Sequence, residues 1–319
     1  MESQVNLLTP LIEQRADPFI YKHTDGYYYF TASVPAYDHI ELRRAKTIAG
    51  LADAETVNVW QKPETGPYSD LVWAPEIHFN QGAWYVYVAI APSREIKDDL
   101  FQHRMYVLRC TDDNPLTGNW EFLGQVDTGM DTFCLDATTF THKDQLYYLW
   151  AQKEDGIQGN SNLYIAKMDT PDRISSKPIM LTKPELPWEI IGFWVNEGPA
   201  VLQRNGKVFI TYSASATDEN YSMGLLTADD DADLLDPASW LKSQEPVLKS
   251  CFEHDVYGAG HNSFTISEDG QDDILVYHAR TYTEIEGDPL WDPNRHTYVK
   301  TLRWDKNGLP VFGKPSLQD

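Results

Sequence analysis

The chain has 319 residues and a formal net charge of −22 at pH 7. An acidic excess of this size repels phosphate backbones and anionic lipid, so we expect neither a nucleic acid nor a membrane as a partner. No run of eighteen apolar residues is present, which also argues against a spanning helix. The three cysteines, Cys110, Cys134 and Cys251, have no motif spacing, and this is typical of buried thiols.

The first residues of the chain bear on its location. Residues 1–6 show no basic region followed by an apolar core, the pattern that marks a secretory signal. The sequence therefore predicts a cytoplasmic protein.

A unit of strands and turns recurs five times, at intervals of about sixty residues. Each unit opens with a polar marker, followed by a short apolar strand, a polar turn and a second strand rich in aromatic and β-branched residues. Asp25-Gly26, Asn205-Gly206 and Asp269-Gly270 in the turns tolerate positive φ and close tight hairpins. The markers in chain order are Asp17, Glu76, Asp136, Glu197 and His261.

Two further strands are predicted in each unit. The third begins near Ile40, Met105, Leu163, Met223 and Tyr298, and the fourth near Val57, Trp120, Ile179, Pro246 and Pro310. This pattern predicts an all-β fold, in which residues 1–319 form a single five-bladed β-propeller with four antiparallel strands per blade. Regular strand spacing also fits a β-sandwich. The polar residue at the head of every unit favours the propeller.

In a propeller, the innermost strand of each blade lines a central channel, so the heads of these strands converge at one mouth. Asp17, Asp136 and Glu197 are then buried together, at a cost in free energy that a purely structural protein has little reason to accept. Neighbouring acids separate their titrations, which leaves one protonated and another ionised. Hydrolysis of a glycosidic bond requires this arrangement. Each acid taken alone also fits an ordinary turn. The interpretation as a catalytic site therefore depends on all three acids at equivalent positions.

Other side chains are candidates for substrate contact. Trp73 stands beside the second marker and offers an apolar wall for a sugar ring. His261, Phe133 and Trp194 are also assigned to substrate binding. Arg280 ends the second strand of blade five, where it would reach the sugar or the carboxylates; a surface ion pair is the alternative. Glu76 follows Pro75 and is not counted as catalytic.

Five short motifs, spread over nearly the whole chain, resemble those of glycoside hydrolase family 43. This family contains five-bladed propeller enzymes that cut arabinose- and xylose-containing glycans with inversion. The motifs are Ala16-Asp17-Pro18, Trp73-Ala74-Pro75-Glu76, Leu135-Asp136-Ala137, Asn196-Glu197-Gly198-Pro199 and Gly260-His261-Asn262-Ser263. The resemblance implies that Asp17 is the general base, Glu197 the general acid, and Asp136 the residue that tunes and orients the acid.

The resemblance also suggests a substrate and an ion. The compact layout is similar to that of exo-acting α-L-arabinofuranosidases, which implies release of L-arabinofuranose from α-1,5-linked arabino-oligosaccharides. A β-xylosidase or an endo-arabinanase of the same family stays open. No cofactor is required, but related enzymes hold a cation, commonly calcium, near a histidine at the place of His261. A hydrogen-bonded core histidine is the alternative for this residue.

Residues 188–194 and 284–291 are long, aromatic stretches that would wall off one end of a cleft, and this predicts exo action. Two other five-bladed classes differ from this chain in their motifs. Invertase-like enzymes open with an Asn-Asp-Pro-Asn type motif, whereas this chain has Arg15-Ala16-Asp17-Pro18. A non-catalytic sugar-binding propeller repeats its ligand residues in every blade, whereas the markers here differ from blade to blade.

Overall fold

The computed structural model describes residues 9–315, which form a five-bladed β-propeller. The expected all-β propeller is confirmed. No helix in this part of the chain is long and apolar enough to cross a bilayer. Residues 1–6, on which the absence of a signal was argued, lie outside the described part. A single domain over the full 319 residues stays a prediction.

The first two blades each contain four antiparallel strands in sequential order. Blade one comprises β1 (Ala16–Lys22), β2 (Tyr28–Ser33), β3 (His39–Ala45) and β4 (Val57–Gln61). Blade two comprises β5 (Asp70–Asn80), β6 (Ala83–Ala91), β7 (Arg104–Cys110) and β8 (Trp120–Gln125).

The third blade has two short outer strands where one was expected. It comprises β9 (Cys134–His142), β10 (Gln145–Gln152), β11 (Asn162–Thr170), β12 (Arg173–Ile174) and β13 (Ile179–Thr182). Both β12 and β13 pair with β11.

Blade four has the expected four strands, but the fourth lies at residues 241–242 and not near Pro246 as predicted, and the described part of blade five has three. Blade four comprises β14 (Asn196–Arg204), β15 (Lys207–Ala214), β16 (Ser222–Asp229) and β17 (Leu241–Lys242). Blade five comprises β18 (Tyr257–Ile266), β19 (Asp273–Arg280) and β20 (His296–Thr301). The strand predicted near Pro310 is β22 (Pro310–Val311), which pairs with β21 (Arg303–Trp304) and not with β20.

The first strands of the blades, β1, β5, β9, β14 and β18, contact one another in a closed ring around the central axis. The hydrophobic core lies between neighbouring blades. Tyr29 of blade one packs in one cluster with Trp84 of blade two, and Ile20 of blade one packs with Val276 of blade five. Ile12, which precedes β1, forms a β-bridge with Thr297 in β20 and so joins the first blade to the fifth. All three cysteines are buried, as expected.

A bulge with a left-handed residue interrupts the first strand of every blade, where its register with the second strand shifts. Such bulges re-aim side chains and are common beside active sites. The left-handed residues, with φ values of 54°, 44°, 55°, 54° and 43°, are Asp17, Ala74, Asp136, Gly198 and His261.

The bulges revise the alignment of the five markers. Asp17, Asp136 and His261 occupy the equivalent left-handed position, but Glu197 precedes it by one residue and Glu76 follows it by two. Glycine at position 198 has a packing reason, because a Cβ there would lie 3.0 Å from the ring of His261. The general-acid candidate therefore approaches the channel from a backbone position different from that of the other two acids.

Candidate active site

The three predicted carboxylates, Asp17, Asp136 and Glu197, line a single cavity of about 350 Å³. Their exposed fractions are 8%, 6% and 8%. The cavity lies at one mouth of the channel because the bulged ends of β1, β9 and β14 converge there. Loops from several blades complete the wall, with Leu100 and Phe101, Gly192 and Phe193, Ser215 to Asp218, and Asp288 to Leu290.

Two of the predicted substrate-binding aromatics, Trp73 and Phe133, also line this cavity. The indole of Trp73 stacks on the imidazole of His103, with ring centroids 3.8 Å apart. His103 is completely buried and directs Nε2 to the carbonyl oxygen of Leu71 at 2.9 Å. The aromatic wall is thus supported from behind by a ring that does not reach the cavity.

Asp17 is surrounded by hydrogen-bond donors. The Ser33 hydroxyl donates to Oδ2 at 2.6 Å, and Arg295 donates from Nη1 to Oδ1 at 3.4 Å. Nδ1 of His261 lies 3.2 Å from the same Oδ1. Arg295 is itself held by Tyr37, whose hydroxyl accepts from Nη2 at 2.9 Å.

These neighbours determine the charge of Asp17. Burial by itself would raise the pKa of this carboxyl, but His261 and Arg295 outweigh burial and hold the pKa well below its ordinary value. Among them, Arg295 carries a permanent positive charge, because a guanidinium does not lose its proton in proteins. Asp17 is therefore ionised at neutral pH and suited to accept a proton.

Glu197 has the opposite character. Burial raises its pKa to about 7, against the effect of a hydrogen bond of 2.8 Å that the Tyr221 hydroxyl donates to Oε1. Burial, together with the nearby charges of Glu197 and Asp17, also raises the pKa of Asp136. Two adjacent buried carboxyls resist simultaneous ionisation, so this pair retains a proton near neutral pH.

Side chains of the preceding blade hold the bulges in place. In four blades, the amide of the left-handed residue donates to such a side chain, at distances of 2.8 to 3.0 Å. Asp136 is one of these acceptors, since its Oδ2 accepts from the amide of Gly198. The donor–acceptor pairs are Asp17 with His278, Ala74 with Ser33, Gly198 with Asp136, and His261 with Ser213.

Two predicted substrate-binding residues lie outside the cavity. Arg280 stands behind its wall, donating to the carbonyl oxygens of Thr217 and Pro289, which belong to two lining loops. Asp292 lies 3.4 Å from its Nε. Trp194 lines a separate pocket of about 200 Å³ with Lys183 and other neighbours, because the chain turns away from the main cavity after Phe193.

His261 does line the cavity, but Arg295 already neutralises in part Asp17, the acid nearest to its ring. Its Nδ1 lies 3.2 Å from Asp17 and 3.8 Å from Asp136. Calcium prefers six to eight oxygen ligands, so an ion held by this imidazole would take most of its ligands from water. Calcium in the channel stays a prediction, and the chemistry described below does not use it.

Sequence reasoning missed four residues that contact the acids: Ser33, Tyr221, His278 and Arg295. A signal exists for two of them, since Ser33 and His278 are polar residues near the ends of second strands that are mainly apolar. Arg295 and Tyr221 lie just before third strands, in loops whose length and sequence differ from blade to blade. No repeat pattern points to residues of this kind.

The comparisons with known proteins agree with this geometry. The family model described as "Glycosyl hydrolases family 43" matches residues 8–310. The crystal structure of an α-L-arabinofuranosidase from Lactobacillus brevis superposes with a TM-score of 0.96 at 56% identity, covering 98% of both chains.

Two curated relatives share 52% identity with the chain and match 98% of it. They are an "Extracellular exo-alpha-(1->5)-L-arabinofuranosidase" from Streptomyces avermitilis and an "Alpha-L-arabinofuranosidase 43" from Humicola insolens. The chain spans 64% of the length of each of these two relatives.

The expected cytoplasmic location is wrong by this comparison. The relative from Streptomyces avermitilis is named an extracellular enzyme, which points to secretion. The expectation depended on the residues at the start of the chain, and these do not report where related enzymes act. What the comparisons and the converging acids establish together is that the chain belongs to glycosyl hydrolase family 43.

Proposed function

We propose that the protein is an inverting exo-α-L-arabinofuranosidase that releases L-arabinofuranose from the ends of α-1,5-linked arabino-oligosaccharides. The observation that carries this proposal is one cavity that holds an ionised acid, Asp17, and a protonated acid, Glu197, each 8% exposed. The names of the two curated relatives and of the Lactobacillus brevis enzyme support the choice of sugar.

The two acids divide the chemistry between them. Asp17 takes a proton from a water molecule, whose oxygen attacks the anomeric carbon. Glu197 gives its proton to the glycosidic oxygen as the bond to the anomeric carbon breaks. Asp136 orients the acid through the hydrogen bond of 3.0 Å that its Oδ2 accepts from the amide of Gly198, the residue next to Glu197. Attack from the face opposite the leaving group inverts the configuration.

Inversion also predicts the spacing of the acids. The carboxyls of Asp17 and Glu197 should stand roughly 6.5–9.5 Å apart to leave room for the water, whereas roughly 5 Å would favour a covalent intermediate. NMR of the first product formed from an aryl arabinofuranoside reports the same property. The inverted anomer is expected, and the retained anomer would contradict the assignment of Asp17 as a base.

Exo action is supported by the loops that form the cavity wall. Gly192 and Phe193 come from one of the stretches expected to block the cleft, and Asp288, Pro289 and Leu290 come from the other. Arg280 fastens the second stretch through the carbonyl oxygen of Pro289 at 2.7 Å. A cavity closed in this way accepts the end of a chain and releases one sugar per event.

Four substrates test the proposal. Reduced arabinotriose should yield free arabinose, and a dyed cross-linked arabinan should release no dye. Early release of mixed longer fragments would instead show an endo-acting groove. A parallel assay with aryl α-L-arabinofuranoside and aryl β-D-xyloside separates the two sugar specificities, and preference for the xyloside would overturn the choice of arabinose. No turnover of any glycoside would favour a sugar-binding propeller.

A further inference from the structure

His278 contacts both Asp17 and Tyr221 without lining the cavity. It is in β19, and its side chain is 1% exposed. The amide of Asp17 donates to its Nδ1 at 3.0 Å. An Nδ1 that accepts a hydrogen bond carries no proton, so the ring is the neutral tautomer with its proton on Nε2. Burial agrees with this state, because it lowers the pKa of His278 to about 3.

The face of the same imidazole supports Tyr221. The two rings are stacked, with centroids 5.6 Å apart and planes inclined by 9°. On the backbone, Gly260 pairs directly with His278, and a Cβ on Gly260 would lie 2.6 Å from the Tyr221 ring. A glycine is therefore required where the phenol lies. The hydroxyl of Tyr221, held by this packing, donates to Oε1 of Glu197 at 2.8 Å.

We propose that Tyr221 and His278 form one positioning unit, in which the phenol fixes the general acid and the imidazole holds both the phenol and the backbone of the general base. The inference rests on the proposed function for its chemical meaning. When Glu197 gives its proton to the leaving oxygen, it becomes a carboxylate. The hydrogen bond from Tyr221 is then charge-assisted, and such bonds are the stronger kind.

The surroundings of Glu197 define the expected change in its titration. The charged and titratable groups that face Glu197 are Asp17, Asp136, Arg295 and Tyr221. Among them, the Tyr221 hydrogen bond favours the ionised form and lowers the pKa of Glu197. Replacing the hydroxyl by hydrogen should therefore raise that pKa. His278 faces Asp17, His261, Arg295 and Tyr221, and stays neutral through the working range.

Tyr221→Phe is the first test, since it keeps the stacked ring and removes only the hydroxyl. The alkaline limb of the pH profile of kcat/KM should move to higher pH. The kcat for arabino-oligosaccharides should fall about tenfold to a hundredfold, the range expected when a hydrogen bond to a charged group is lost. An aryl glycoside with a good leaving group should lose less. An alkaline limb at its original place, with equal losses on both substrates, would overturn the proposal.

Two variants of His278 separate the two contacts of the ring. His278→Phe keeps a face for Tyr221 but cannot accept from the Asp17 amide, so it should lower turnover equally for all leaving groups with an unchanged alkaline limb. His278→Asn keeps a side-chain oxygen as acceptor but removes the stack, so it should shift the alkaline limb as Tyr221→Phe does. If the two variants share one pH profile, the imidazole does not link the acids in this way.

A readout that is independent of activity separates this inference from the proposed function. Carboxyl ¹³C NMR titrates Glu197 directly in the unmodified protein and in Tyr221→Phe, with Glu197→Gln identifying the signal. The pKa of Glu197 should rise in Tyr221→Phe. An unchanged pKa overturns the positioning unit even if arabinosidase activity is found, and a raised pKa supports the unit even if the substrate proves to be a different glycoside.

Discussion

The two ends of the cavity differ in charge although they are equally buried. Asp17 and Glu197 have the same exposed fraction of 8%, yet the pKa of Asp17 lies well below its ordinary value while that of Glu197 is raised to about 7. The Asp17 end contains Arg295 and the hydroxyl of Ser33. At the other end, Glu197 accepts a hydrogen bond from the neutral phenol of Tyr221.

This difference shows that burial does not assign the roles by itself. Desolvation raises the pKa of both acids, and only the permanent charge of Arg295 and the donors around Asp17 reverse its effect at one end. An ionised carboxyl and a protonated carboxyl therefore coexist in one cavity because the surrounding loops distribute charge unevenly. The predictions below test this asymmetry.

Removing the base should have the largest effect. Asp17→Ala leaves no group to take the proton from water, and a general base contributes about 10²- to 10⁴-fold to the rate. The loss in kcat should be of this size on every substrate, because no leaving group substitutes for a base. Steady-state rates on aryl glycosides and on arabinobiose measure it. Selective loss on the oligosaccharide alone would assign Asp17 a different role.

Removing the acid should have a large effect that depends on the leaving group. Glu197→Ala should abolish most activity on oligosaccharides, but an activated aryl group needs little protonation and should be cleaved faster than an alkyl one. Azide should partly restore turnover by attacking in place of water. Equal losses on both kinds of substrate, matching those of Asp17→Ala, would contradict the division of roles between the two ends.

Removing the positive charge should move the whole pH profile. Arg295 lowers the pKa of Asp17 and of Glu197, so Arg295→Met should raise both, shifting the acidic and alkaline limbs of kcat/KM to higher pH by about one unit or more. Arg295→Lys keeps the charge and is the matched control, with limbs near their original positions. An acidic limb that does not move in Arg295→Met would show that other donors keep Asp17 ionised.

The smallest expected effect is on stability. The folded-state pKa of Glu197, about 7, exceeds the ordinary value of 4.5, so its contribution to stability is full at low pH and is lost as pH rises through about 7. Glu197→Gln removes the buried charge and should raise Tm by roughly 2–4 °C at pH 8, with little change near pH 4. Glu286→Gln at an exposed position is the control. A rise in Tm of the same size at pH 4 and pH 8 would contradict the idea that the ionised side chain of Glu197 destabilises the fold.

Much of the propeller could be predicted from the sequence because each blade is specified locally. The turns at Asp25-Gly26 and Asn205-Gly206 favour hairpins, and the aromatic second strands fill the spaces between blades. The prediction of a fourth strand in blade five was wrong, because pairing at a sheet edge depends on which neighbour the edge residues meet in the folded chain. Residues 310–311 contact Arg303 and Trp304 instead of β20.

The site was predictable only where its residues recur with the blades. Asp17, Asp136 and Glu197 lie near the starts of first strands, so their regular spacing indicates them. Trp73 and Phe133 lie close to the corresponding positions of blades two and three. The position of Arg280 in the repeat does not indicate which groups its side chain contacts. Its direction depends on the carbonyl oxygens of Thr217 and Pro289, which belong to loops more than sixty residues apart in the chain.

By itself, the sequence determined the five-fold repeat, the all-β fold and the three acids that converge on the channel, since these follow from local strand patterns and constant spacing. Only the tertiary structure decided which acid is ionised. That depends on Arg295, which is 278 residues from Asp17 along the chain yet donates to it at 3.4 Å. Charge interactions act through space, and the fold, not the order of residues, brings these two groups together.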